Sequence, residues 1–319
     1  MVHIRSFSNA DPPGIVDIWR SHPPLRGLMQ PMSLGLLEQH IFSKPYFDRH
    51  GLLVAEDQGT LLGFAHAAFG PTNDLNDIST ANGMTCLLMT SPHADQQQTR
   101  QALLNASETH LRLRGAQQIF AGSVWPMTPF YLGLYGGSGI PGVLTSDRTL
   151  DDLYLQAGYQ AIRSSEVWQR ELSGFRSRVD RRSMQIRREY VIETAQDGPC
   201  SEWWTACVLS QSFYVRFQLI PKAGGQPVAS ATFWDMEPLA SGWGVRAMGM
   251  VELEVVPHLR RQGLGCFLLG EILRQLQSEG IHLVECQAPD DNPAARGLFQ
   301  SLGFQVVDRG TWYQKSIVS

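Results

Sequence analysis

Between Val251 and Phe304 the apolar positions change their period from one segment to the next. Val251-Glu252-Leu253-Glu254-Val255-Val256 alternates, which predicts a strand. Pro257 ends it, and the polar run Arg260-Arg261-Gln262 leads into Gly263-Leu264-Gly265. Leu264, Phe267, Leu268, Ile272 and Leu276 then recur at spacings of three and four, the apolar stripe of a helix, with Gly280 placed to cap its end. Ile281-His282-Leu283-Val284-Glu285-Cys286 predicts a second strand. Asn292-Pro293 opens a short helix that runs through Leu298-Phe299, and Leu302-Gly303-Phe304 turns it into a further strand.

The first half of the chain repeats this pattern. Pro257, Leu268, Leu269, Leu276 and Gly280 have counterparts 165 residues earlier, at Pro92, Leu103, Leu104, Leu111 and Gly115, and His258 has one at His93. Leu298, Phe299, Gly303 and Phe304 have counterparts 145 residues earlier, at Leu153, Tyr154, Gly158 and Tyr159. The change in offset falls in a glycine-, proline- and aromatic-rich loop from Met127 to Ser146. The last strands also correspond, Gln305 with Gln160 and Gln314 with Gln169. Hairpins precede both copies. Leu52–Ala55 and Leu62–Ala67 flank a turn at Asp57-Gln58-Gly59, while Phe213–Phe217 and Val228–Phe233 flank Lys222–Gly225. We therefore expect two tandem domains, 1–172 and 173–319. Ser173-Gly174 and seven arginines between Arg170 and Arg188 mark the seam, the pattern of a solvated linker or a domain-contact face.

A strand feeding a glycine loop and then a helix start can hold phosphate. The first four helical N–H groups lack partners and carry partial positive charge. Gly263 and Gly265 leave the inside of the turn bare, and Arg260 and Arg261 add charge beside it. A plain tight turn would use the same glycines. The first copy places Asp95, Gln98 and Arg100 where the second has Arg260, Gly263 and Gly265, and Asp147 where it has Asn292. Side chains there block close approach to the backbone, so one cradle per chain is expected.

Two motifs in order, Arg260-x-x-Gly263-x-Gly265 and Asn292…Leu298-Phe299…Gly303-Phe304, resemble the GNAT superfamily of acyl-CoA N-acyltransferases. The resemblance implies an α/β fold (α+β by some schemes) of two tandem GNAT-like domains, each a mixed, mostly antiparallel sheet flanked by helices. It implies acetyl-CoA as cosubstrate, held by Leu253, Val255, Val256, Arg260, Arg261, Gln262, Gly263, Leu264, Gly265, Cys266, Asn292 and Phe299. The oxyanion donor would be a backbone N–H near Leu253 to Val256. The family's usual strand-four base positions fall on Gly249 and Val251, which cannot accept a proton. That leaves Glu252, Glu254 and Glu285 as candidate bases, with surface or ion-paired roles open for each. Alternation puts Glu252 on the other face unless a bulge shifts it. The family's usual acidic tyrosine falls on Phe299, and Asn292 before Pro293 is also a good helix cap. In this family the segment between the first strand and the hairpin walls the acceptor side. The first copy has about 44 residues there, room for two helices; the second has about 18, room for one from Glu202 to Leu209. A large acceptor or the first domain could fill the gap.

Net charge of −4 gives no global case for nucleic acid, and no segment is long and apolar enough to span a membrane. The five cysteines, Cys86, Cys200, Cys207, Cys266 and Cys286, have no metal-ligand spacing, and no metal is expected. The N-terminus has no long apolar run, so a cytoplasmic chain is expected. The implied function is acetyl transfer from acetyl-CoA to the amine of a small-molecule or protein acceptor, by the second domain. The alternative is a non-catalytic acyl-CoA-binding or interaction module. Neither the acceptor nor an oligomeric state can be read from the pattern.

Overall fold

The alternating segments of the first half become β1 (His3–Ser6), β2 (Leu52–Asp57), β3 (Thr60–Pro71), β4 (Ile78–Thr90), β5 (Gln118–Ala121), β6 (Val143–Leu144) and β7 (Gln160–Glu171). The molecule is a computed structural model that describes residues 2–92, 96–177, 179–196, 202–210 and 213–317; His93, Asp95 and Cys200 lie outside these. Helices α1 (Pro12–Ser21) and α2 (Leu34–Leu37) fill the long segment after β1, α3 (Gln96–Leu113) follows β4, and α4 (Arg148–Gln156) precedes β7. The β2–β3 turn forms at Gln58 and Gly59, both with positive φ, where the sequence placed it.

The second half opens with α5 (Arg181–Glu189), in the arginine-rich seam, and continues through β8 (Tyr190–Gln196), α6 (Trp203–Leu209), β9 (Tyr214–Pro221), β10 (Ala229–Asp235) and α7 (Glu237–Trp243). It ends with β11 (Ala247–Val255), α8 (Leu264–Ser278), β12 (Leu283–Pro289), α9 (Pro293–Ser301) and β13 (Gln305–Ser316). The single short helix expected after β8 is α6. Helix α5 starts on a capping box, with Asp180 and Ser183 each bonding the other's backbone.

The sheets of the two copies are joined edge to edge. Among the described residues one mixed, mostly antiparallel sheet of 13 strands runs β1-β2-β3-β4-β5-β13-β7-β12-β11-β10-β9-β8, with β6 also on β13. The last strands have changed places. β13 of the second half pairs with β5 of the first, and β7 of the first half pairs with β12 of the second. Repeat-equivalent residues meet in both settings: Tyr313 faces Ala121 as Trp168 faces Cys286. Where β13 and β7 meet, Gln305 faces Gln169 and Gln314 faces Gln160, so a pseudo-twofold axis passes between them.

Helix α8 covers one face of the second half with a core of Leu264, Phe267, Leu268, Ile272 and Leu276 against Phe217, Ala231, Met248, Val284 and Cys286. The opposite face lies against the first half. One continuous core joins Trp19, Phe130, Tyr131 and Leu134 to Trp234, Met236, Leu239, Ala247 and Leu283.

Candidate cofactor and acceptor site

Strand β11 changes register against β10 in mid-course. Thr232 faces Glu252, but the next pair is Phe233 with Met250, so Val251 is an extra residue and is 43% exposed. Thr232 and Trp234 lie on one face of β10, so their partners Glu252 and Gly249 also share a face. The bulge thus carries Glu252 onto the side that strict alternation denied it. Glu254, opposite Ser230, lies on the same face and is also exposed, while Leu253 and Val255 pack toward α8. Thr232 Oγ1 lies 3.3 Å from Glu252 Oε2, and Arg216 lies 3.9 Å from the same oxygen.

The bulge sits where two strands part. β11 pairs in parallel with β12 only from Ala247 to Met250, opposite Leu283 to Cys286, yet runs on to Val255. A wedge therefore opens between Val251–Val255 and the end of β12, and among the described residues no strand pairs with that edge of β11. Unpaired backbone groups on such an edge can bond an extended chain as a strand would.

The glycine loop closes the wide end of the wedge. Arg261 has φ 63° and Gly263 has φ 79°, and Gly263 is the N-cap of α8. Gly263 O accepts from Phe267 N, so the N–H groups of Leu264, Gly265 and Cys266 precede the first intrahelical bond. A Cβ at Gly265 would stand 3.4 Å from Val255 Cγ2, in the wedge between strand and helix. Arg260 Nε bonds Val255 O, and Val256 N bonds Val228 O, which fixes the strand end to the loop. The bare cradle, the apolar slot behind it and the open strand edge fit a diphosphate joined to an extended amide chain.

Asn292 caps α9, its Oδ1 accepting from Ala295 N at 3.1 Å, so the capping reading of this residue is realised. Phe299 is 3% exposed and packs edge-on to Trp168 of β7, with ring centroids 6.0 Å apart. The indole Nε1 of Trp168 is buried with no hydrogen-bond partner among the described residues.

Glu285 stands apart from Glu252 and Glu254. It is fully buried on β12, beside Gly249. Its carboxylate accepts from Arg26 Nη1, Gln169 Nε2 and Ser138 N at 2.5, 2.7 and 2.6 Å. Burial pushes the carboxyl above the ordinary range, against the pull of Arg26, Gln169 and Ser138. All three donors belong to the first half or to β7, so Glu285 ties the copies together.

The loop of the first half that changes the repeat offset packs over this part of the second half. Ser138 O accepts from Trp234 Nε1, Gly139 O accepts from Gln287 Nε2, and Gly136 O accepts from Arg26 Nη2. A side chain at Gly137 would collide with the Glu285 carboxylate, and one at Gly133 would strike the Trp234 ring. Glycine is needed at both for backbone to lie on the sheet. Arg26, Ser138 and Gln169 were not singled out from the sequence. The 20-residue difference in repeat offset was the available signal, since an insertion in one copy of a repeat maps to a loop on one face, often the binding face.

The first copy keeps the frame of the site. Its register shift leaves Cys86 as the extra residue of β4, and β4 pairs with β5 only from Asn82 to Thr85. The lining differs. Arg100 stands in place of Gly265, in electrostatic range of Asp147 and His22. Thr90, Thr99 and Ser123 stand where the second copy has Val255, Leu264 and Ala288, and their hydroxyls are buried with no hydrogen-bond partner among the described residues. Among those residues no group of three or more His, Cys, Asp or Glu could hold a metal, and no helix is long and apolar enough to cross a membrane.

The model of the acetyltransferase (GNAT) family matches residues 182–304. No curated protein sequence matches the chain. Several solved structures share its fold end to end. One is the GCN5-related glucosamine N-acetyltransferase region of a fungal multi-domain GH3 β-N-acetylglucosaminidase, with TM-score 0.71 and 16% identity over 99% of this chain. This chain spans only 38% of that protein. A tandem GNAT protein from the clavulanic acid biosynthesis pathway aligns with TM-score 0.67 and 13% identity, over 99% of this chain and 98% of that one. A GCN5-related N-acetyltransferase from Sphaerobacter thermophilus aligns with TM-score 0.64 and 13% identity, over 100% and 96%. At these identities the likeness is one of fold.

Proposed function

We propose that this chain, which has a tandem GNAT fold and a GNAT-family domain at residues 182–304, transfers an acetyl or other acyl group from a CoA thioester to an amine. The working copy is 173–319, and 1–172 supplies the acceptor wall. The observation that carries this reading is the coincidence, in one copy only, of an open strand edge after a bulge and a side-chain-free helix N-terminus at its end. Arg260 to Cys266 would hold the diphosphate, Leu253, Val255 and Val256 the extended pantetheine, and Phe299 and Asn292 the region beside α9. The thioester supplies an activated acyl carbon. In the transfer a C–N bond forms, the C–S bond breaks and the amine loses a proton.

Glu252 is the proton acceptor we favour, directly or through water. It is exposed at the bulge and lies on the acceptor face, whereas Glu285 is enclosed by three donors and serves as an anchor. Glu254 lies one pleat farther along the same face. The wall over Gly249 and Glu285 favours a compact acceptor over a folded protein. The four described cysteines are unpaired, consistent with a reducing cytoplasmic setting.

One observation favours a second reading, a non-catalytic acyl-CoA-binding module: Phe299 offers no proton to a leaving thiolate. Thermal melting with acetyl-CoA followed by thiol release over an amine panel decides between them. Transfer is expected, with kcat lowered roughly 100-fold or more in Glu252→Gln and the KM for acetyl-CoA unchanged. A thermal shift without transfer leaves the binding module; no shift removes both.

A further inference from the structure

From sequence the arginines of the seam read as a solvated linker or a domain-contact face. In the structure the seam is helix α5, held onto α8. Arg187 Nη2 bonds Glu271 Oε1 at 2.7 Å, Ser177 Oγ lies 3.1 Å from the same oxygen, and Ile186 is buried in the second core. Lys222 Nζ bonds Arg187 O and adds a tie from the β9–β10 turn. From this fixed base Arg182 reaches the phosphate loop. Its Nε donates to Gln262 O at 2.7 Å and its Nη2 to Arg261 O at 3.1 Å.

We propose that Arg182 is a positioning residue for the diphosphate of the acyl-CoA, an inference that rests on the acyl-CoA reading of the loop. The argument is one of peptide geometry. In a trans peptide the C=O and the following N–H point in opposite directions. The guanidinium draws the carbonyls of Arg261 and Gln262 to the linker side. The N–H groups of Gln262 and Gly263 must then face the other way, in line with the free N–H groups of the first turn of α8. Arg261, at φ 63°, stands in a backbone state that L-residues avoid, so it gains from an outside hold, while Gly263, at φ 79°, adopts that state freely. The fork also polarises both peptides, making their N–H groups better donors to an anion. Gly263 has a second reason to be glycine: a Cβ there would lie 3.0 Å from Arg182 Nε. The first copy has Gln98 in place of Gly263.

The test compares two probes on the full-length chain. Acetyl-CoA carries the diphosphate; S-acetyl-pantetheine carries the same thioester without it. Arg182→Ala is expected to raise the KM and Kd for acetyl-CoA about tenfold or more while kcat at saturation and kcat/KM for S-acetyl-pantetheine stay at the wild-type level. Arg182→Lys, which can bond one carbonyl but not two in a planar fork, is expected to recover part of the loss. An unchanged acetyl-CoA affinity in Arg182→Ala overturns the proposal, and so does an equal loss with both probes, which marks a general structural role. If the wild-type chain binds no acetyl-CoA, the acyl-CoA reading itself falls and this one with it.

Discussion

Gly263 sits at φ 79°, where any L side chain costs roughly 1 kcal/mol before contacts are counted. Gly265 lies in the first turn of α8 with ordinary helical dihedrals, and its nearest neighbours are side chains at contact distance. Substitution at Gly265 therefore tests cofactor contact with little backbone strain, whereas substitution at Gly263 mixes the two. Gly265→Arg copies Arg100 of the first copy. The variant should melt close to wild type without ligand and should lose the rise in Tm that acetyl-CoA gives the wild type; a retained rise would place the diphosphate elsewhere. Phe299 poses the converse question. Its ring is buried against Trp168 and Phe304, and the Tyr154 counterpart shows that the fold accepts a hydroxyl at this position. Phe299→Tyr is expected to raise kcat, because it adds a hydroxyl donor at the position that Tyr154 holds in the first copy, at a stability cost of about 1–3 kcal/mol if the hydroxyl finds no partner. Stopped-time thiol release measures it, and an unchanged kcat would mean that thiolate protonation does not limit turnover.

Strands β7 and β13 explain what the pattern could and could not reveal. Their existence and their mutual correspondence were legible, because the repeat marks them. Their partners were not. Both strands present equivalent residues to equivalent neighbours, Tyr313 to Ala121 and Trp168 to Cys286, so pairing within or between copies would satisfy the same hydrophobic pattern. The loop at Gly263 was legible because backbone chemistry dictates glycine there. The bulge at Val251 was not, since an inserted residue leaves no mark on composition; it surfaced only as a conflict between Glu252 and the expected face. Helix α5 was hidden by its polarity, with Ile186 the single residue of α5 that is buried. The exchange has a direct consequence for fragments. Residues 173–319 alone lack β7 and would expose the β12 edge, while β13 would have lost both β5 and β7. Expressed alone, this fragment should aggregate or remain unfolded, and co-expression with 1–172 should restore a soluble complex. A monomeric, cooperatively melting fragment would show that β13 can fold back onto β12.

The chain as a whole is stabilised by a core that ignores the boundary between copies. Trp234, Met236 and Leu239 belong to it as fully as Trp19, Phe130 and Tyr131. His66 is enclosed at its margin, fully buried, with Nδ1 3.0 Å from Tyr131 Oη and the Phe130 ring 4.3 Å away. Its Nε2 has no hydrogen-bond partner among the described residues, so a second ring N–H would find no acceptor there. Burial lowers its pKa from 6.5 to about 3. The folded state therefore binds fewer protons than the unfolded state between those values. Stability from this group is complete above pH 6.5 and is lost as pH falls, at up to about 1.4 kcal/mol per unit. His40, lowered by burial and by Lys44 to about 4, acts with the same sign. Urea midpoints should fall from about pH 7 to pH 5, and His66→Gln should flatten that fall while keeping a hydrogen-bond partner for Tyr131. Because the core is shared, indole emission, which includes Trp234 of the second copy, should move at the same midpoint as backbone circular dichroism. Two separated transitions would mean that the copies melt independently, and that the wall over Glu285 can open without unfolding the site it covers.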